Sequence, residues 1–153
     1  KKKLIYLVKQ QINLRKLISI SMPLELIKTK NIKRVVLDSL TLFKYSSEGE
    51  LAYRKEVLDL MSNMKSVLFI ATAEDKKVSI DDQEFNPEDF LFDGIIRLIK
   101  VRKTNNFQRC VHIAKMRGQD HLLDIFPFDI KKNGINIYPK EIPFSLFGDN
   151  FKK

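Results

Sequence analysis

The sequence is poor in the residues that build the commonest self-contained sites. Cys110 is its only cysteine, so no intramolecular disulfide and no cysteine cluster for zinc can form, and a reducing cytoplasm is the simplest compartment. Glycine is also scarce. Gly49, Gly94, Gly118, Gly134 and Gly148 stand apart, and none begins a G-x-x-x-x-G-K-[ST] phosphate loop. No apolar run approaches the roughly 20 residues needed to span a bilayer, and no signal-peptide pattern is visible, so the chain is expected to be soluble and to have no membrane partner.

Positive charge, by contrast, is abundant. Among 153 residues, 28 are Lys or Arg against 19 Asp or Glu, a formal +9. An anionic partner such as a nucleotide or nucleic acid fits that balance, and so does a lysine-rich surface that keeps the chain dissolved. Part of the excess sits in the terminal "KKK" and "KK" and says little about a site. The length and the 44% hydrophobic content predict a single domain over 1–153 with a substantial core.

Along the chain, "KLIYLV" at 3–8 and the alternating "KLISIS" at 16–21 favour strands. A helix is expected from Ser21 to about Lys30, with Ser21 as cap and Pro23 in the first turn. "RVVLDS", from Arg34, and "VLFIATAE", 67–74, are apolar without alternation, which predicts strands covered on both faces. Between them Leu51, Val57, Leu58, Met61 and Met64 recur at helical spacings over 50–65. Strand, helix and strand make a βαβ unit, and chemistry in such sheets gathers at the carboxyl ends of strands, where Asp38 and Glu74 fall.

A polar loop is expected over 75–84, then a brief helix at "NPED" with Asn86 as cap. Consecutive strands come next: "GIIRLIKVRK", the turn "TNN", and "FQRCVHIAKMR" form a hairpin. "DIFPFDI" and "INIYP" form another around "KKNG", where Asn133 and Gly134 are expected to supply positive backbone angles. In the tail, Phe144, Phe147 and Phe151 stand at helix-like spacings, to cover the core or to dock on an adjacent subunit.

Alternation along the strand puts Phe107, Arg109, Val111, Ile113, Lys115 and Arg117 on one face, and Cys110, His112, Ala114 and Met116 on the other. Cys110 is then a small buried hydrophobe and His112 a core histidine. Lys115 and Arg117 project together, roughly 6.8 Å apart at their roots. They form either a solvated strand end or a fork that repels itself until an anion lies between. Gly118 permits an abrupt turn, and His121 returns just beyond it. Asp38 could orient a nucleotide through magnesium, cap a helix or pair with a lysine.

Taken in order, "RVVLDSLTLF", "YRKEVLDLM", "TAE", "EDFLFDGIIRL", "KMRGQDH", "FDI" and "NGINIYP" resemble the carboxyl-terminal two-thirds of a KaiC-like domain of the RecA superfamily, from about 34 to 139. The resemblance implies an α/β fold, a RecA-like mostly parallel central sheet flanked by helices, with antiparallel hairpins in the carboxyl-terminal part. It implies an ATPase core, with ATP and Mg2+ as cofactors, that assembles head to tail into a homo-oligomeric ring, a hexamer being one size allowed, with ATP between subunits. Asp38 then matches the Walker B acid near magnesium, and Ser39 beside it joins the nucleotide-binding set. Lys115 and Arg117 match residues that reach the neighbouring subunit's terminal phosphate, Arg117 as an arginine finger in trans. His121 matches a position near the nucleotide, and Glu74 an acid beside the site, counted with Lys115 and Arg117 in the catalytic set.

The family's phosphate loop and its paired catalytic glutamates are missing from these residues. This leaves two expectations. A slow ATPase has its loop upstream of Lys1, as the non-Met start favours, or the chain is a degenerate, non-hydrolysing scaffold. Nucleic-acid binding, suggested by charge, ranks below both.

Overall fold

The computed structural model describes residues 21–74, 86–103, 105–141 and 143. The expected strand at 3–8, all but Ser21 of the one at 16–21, the polar loop at 75–84 and the aromatic tail lie outside them. The chain divides into two compact units, 1–75 and 76–153.

In the first unit the order is α1 (Ser21–Thr29), β1 (Arg34–Leu37), α2 (Thr41–Ser46), α3 (Glu50–Asn63) and β2 (Leu68–Ala71). Asn31 ends the first helix by taking a left-handed backbone, φ 50°, which lets the Ile32 N–H reach back to the Ile27 carbonyl at 3.1 Å. This six-to-one bond satisfies a carbonyl the helix leaves open. β1 and β2 pair in parallel, Arg34 opposite Leu68 through Leu37 opposite Ala71, as the βαβ pattern requires.

Two details of the first unit depart from expectation. Among the described residues the strands are not covered on both faces: Val35, Leu37, Phe69 and Ala71 are half-buried, whereas Val36, Leu68 and Ile70 are exposed. Unbroken apolarity shows that both faces can be buried, but among the described residues only one is. Along α3 and its C-cap Met64, Val57 and Met64 are buried as expected, but Tyr53 and Leu60 complete the stripe in place of Leu51 and Leu58, which are exposed. The four buried residues advance by four, three and four, a closer fit to 3.6 residues per turn, and Leu51 is 83% exposed. The stripe belongs to the same core as Phe43 of α2, a short helix that the mixed stretch "TLFKYS" did not announce.

The second unit opens with a 3-10 turn, Pro87–Phe90, and continues as a four-stranded antiparallel sheet in the order β3 (Gly94–Lys103), β4 (Asn106–Met116), β5 (Ile125–Lys131), β6 (Gly134–Ile137). Asn106 belongs to β4 and pairs with Lys103, so the first hairpin is tighter than "TNN" suggested. At the second hairpin Gly134 alone takes a positive angle, φ 119°, because the turn places its unusual conformation one residue after Asn133. Ile99, Val101 and Cys110 are buried on one sheet face with Ile125 packed against them. His112 is buried on the same face, as alternation predicted. Strict alternation fails further on. Between Ile113 and Lys115 the ladder steps two residues on β4 for one on β3, a bulge that leaves Ala114 unopposed and re-aims the side chains beyond it.

Candidate functional site

The carboxyl edge of the parallel pair is polar. Asp38 and Thr72 each stand one residue beyond their strands, and the Thr72 hydroxyl donates to Asp38 Oδ1. The backbone continues the same lacing. Thr72 N–H donates to the Leu37 carbonyl at 2.9 Å, and Leu40 N–H to the Thr72 carbonyl at 2.8 Å. Thr41 Oγ1 accepts the Glu74 N–H at 2.8 Å. Asp38, Ser39 and Glu74 are therefore gathered on one edge, with Thr41 and Thr72 among them. Asp38 and Glu74 are exposed and Ser39 half-buried. Sequence reading missed the two threonines, although both stand just past a strand, where a hydroxyl can tie neighbouring crossings together.

All the side-chain donors at this edge are oxygen, the chemistry of a hard cation. Among the described residues no group of three or more His, Cys, Asp or Glu side chains could hold a metal by itself. An ion held by Asp38 would thus rely on water and phosphate for most of its ligands, as magnesium does in nucleotide sites.

Lys115 and Arg117 lie in the second unit, both directed at the 3-10 turn. Lys115 Nζ donates to the Asp89 carbonyl at 2.9 Å. Arg117 Nη2 donates to the Phe90 carbonyl at 2.8 Å, and its Nη1 stands 3.4 Å from Asp93 Oδ1. The turn ends in carbonyls without intrahelical partners, and cations satisfy them favourably. The two cations of the fork thus share a built resting place within their own unit. Gly118 comes next with φ 68°, a left-handed conformation that swings the chain away immediately after Arg117. Arg117 retains a 53% exposed side chain, and two of its five N–H donors account for these contacts.

The turn itself is locked from below. Asp89 Oδ2 accepts the Asn86 N–H at 3.1 Å and faces Arg97 Nη2 at 3.4 Å in a largely buried ion pair. Arg97 stands opposite His112 in the ladder. Burial first, then the Arg97 charge and His121, hold the His112 pKa below the ordinary histidine value. His121 is half-buried; its Nδ1 lies 3.4 Å from the Gln119 carbonyl and its buried Nε2 has no partner among the described residues. No hydrogen bond among the described residues joins His121 to Lys115 or Arg117. Burial pushes the Cys110 thiol up, against a nucleophilic role.

A parallel βαβ unit with its polar carboxyl edge and an antiparallel sheet are elements of a RecA-like α/β fold. The family model described as ATPase: KaiC matches residues 2–142, and the chain belongs to that family. It is 30% identical over 109 residues to the circadian clock oscillator protein KaiC of Nostoc sp. strain PCC 7120, covering 70% of this chain and 21% of that protein. Identity is 31% over 109 residues with KaiC 1 of Synechocystis sp. strain PCC 6803, covering the same shares. A KaiC-like protein of the hyperthermophilic archaeon Pyrococcus horikoshii OT3 matches in structure with TM-score 0.67 and 30% identity, over 85% of this chain and 56% of that one. The chain thus spans about a fifth of the length of these curated relatives. Among the described residues no helix is long and apolar enough to cross a membrane.

Proposed function

We propose that the chain is the Walker B and trans-acting part of an ATPase that works as a head-to-tail ring, with ATP held between adjacent subunits in the cytoplasm. The observation that carries this reading is the gathering of Asp38, Ser39 and Glu74 with two threonine hydroxyls at the carboxyl edge of the parallel strands, in a chain of the KaiC family. Asp38 is the carboxylate that would hold magnesium, and Thr72 fixes its orientation by donating to one oxygen. Magnesium, when bound, neutralises phosphate charge. Glu74 lies on the same edge, exposed, where it can order water around the metal. The phosphate loop has to come from outside these 153 residues.

Lys115 and Arg117 serve the neighbouring subunit's nucleotide. Their resting contacts to the Asp89 and Phe90 carbonyls pre-position the fork, and the half-exposed guanidinium keeps donors for a terminal phosphate. His121, just beyond the fork, is the residue the family resemblance brings near the same nucleotide. In the assembled full-length protein, Asp38→Asn is expected to weaken magnesium-dependent nucleotide binding. Arg117→Ala should preserve nucleotide binding while slowing turnover about 10³–10⁵-fold, the span of an arginine finger. Turnover unchanged in Arg117→Ala, or equal loss of binding and turnover in a monomeric preparation, contradicts the trans role.

A further inference from the structure

The β3–β4 hairpin carries a second cationic feature at its far end, independent of the nucleotide reading. From Gly94 to Arg117 the sequence has seven Lys or Arg and no acid. The ladder sorts part of this charge onto one face. Lys100 stands directly opposite Arg109, and Arg102 opposite Phe107. All four residues are exposed, Phe107 to 67%. The other face at the same level is occupied by Ile99, Val101 and Cys110, so none of the four contributes to that core.

Like charges facing across a ladder destabilise it unless a counter-charge intervenes. Neither Lys100 nor Arg109 has a carboxylate partner among the described residues. Lys100, Phe107 and Arg109 together line an open cavity of about 270 Å³. An aromatic plane flanked by two unneutralised cations combines the elements of single-strand recognition: a surface for a base to stack on, and charges spaced for the phosphates on either side. A duplex, whose bases are already stacked, would leave Phe107 unused.

We propose that this end of the hairpin binds single-stranded nucleic acid, with one base stacked on Phe107 and adjacent phosphates on Lys100 and Arg109. Two phosphate contacts imply that log affinity falls with log salt with a slope of about −1.4.

The test is fluorescence anisotropy of the full chain with a labelled oligodeoxythymidylate of about 16 nucleotides, titrated between about 50 and 200 mM salt. Phe107→Ala is expected to weaken binding roughly 5- to 150-fold, the range of one lost stack, and Phe107→Tyr to restore it. The Lys100→Gln, Arg109→Gln double variant should flatten the salt slope by about 1.4. Added ATP with magnesium should not displace the strand, which separates this site from the nucleotide edge. Circular dichroism of each variant should match the parent, since all three side chains are exposed. Absence of binding at the lowest salt overturns the proposal. So does equal displacement of the strand by a duplex, by polyphosphate or by polyglutamate at matched charge, or an affinity for which Phe107→Ala and Phe107→Tyr are equivalent.

Discussion

Acidifying the protein should expose the cost of burying His112. The ring is 5% exposed, its Nδ1 has no hydrogen-bond partner among the described residues, Arg97 stands opposite it in the ladder, and His121 adds to the field. Each of these disfavours the imidazolium, so the folded state holds His112 neutral at pH values where the unfolded chain has begun to protonate it. The sign comes from counting protons. Below about pH 6.5, the ordinary histidine value, the unfolded state binds more protons, and stability falls as pH falls. It is fully present above that value and is lost downward toward the depressed folded pKa. One proton of difference gives a limiting slope of about 1.4 kcal/mol per pH unit. Urea unfolding from about pH 7.5 down to pH 5 measures it, with carboxylate titration kept to a minimum. His112→Leu removes the titrating group while keeping an apolar occupant, so its stability should depend less on pH than that of the parent across this window. Identical pH dependences would refute the assignment of the burial cost to His112.

The core of the first unit offers a simpler check: Val57 is fully buried, and Val57→Ala should cost about 2–3 kcal/mol from two lost methyl groups plus the cavity left behind, read as a lower urea midpoint at constant slope. Gly134→Ala should destabilise by about 1–3 kcal/mol through backbone strain alone, because φ is 119° while no atom lies within 4 Å of the added methyl group. A thermal melt of that variant matching the parent would show that the second hairpin turn relaxes.

How much of this could be read from the residues depends on the distance over which the information acts. β3 coincides with the run "GIIRLIKVRK", and β4 with the strand after it to within a residue at each end, because period-two patterns and hairpin turns are local. The parallel pairing of β1 with β2 was legible from the order strand, helix, strand. The buried stripe of α3 was legible in part: the spacing named Val57 and Met64, but Tyr53 and Leu60 complete the stripe where Leu51 and Leu58 were expected, because which face is buried is decided by what packs there. The bulge at Ala114 leaves no local mark, since it arises from two strands of unequal step. At the candidate site, Asp38 and Glu74 stood out as acids ending apolar runs. Thr41 and Thr72 did not, because a hydroxyl's role depends on partners more than thirty residues away. The resting contacts of Lys115 and Arg117 on the 3-10 turn were equally hidden: a carbonyl acceptor belongs to every residue and has no signature in sequence.

The central claim is that Arg117 acts across a subunit boundary. Mixing equal amounts of full-length Asp38→Asn and Arg117→Ala subunits before assembly tests it most directly, since each supplies what the other lacks. If sites form between neighbours, random assembly pairs an intact Asp38 with an intact Arg117 at about one interface in four, and ATP turnover should recover to about a quarter of the wild-type value. Turnover that stays at the average of the two separate variants, in a mixture shown to have exchanged subunits, would place both residues in the same subunit's site and contradict the account.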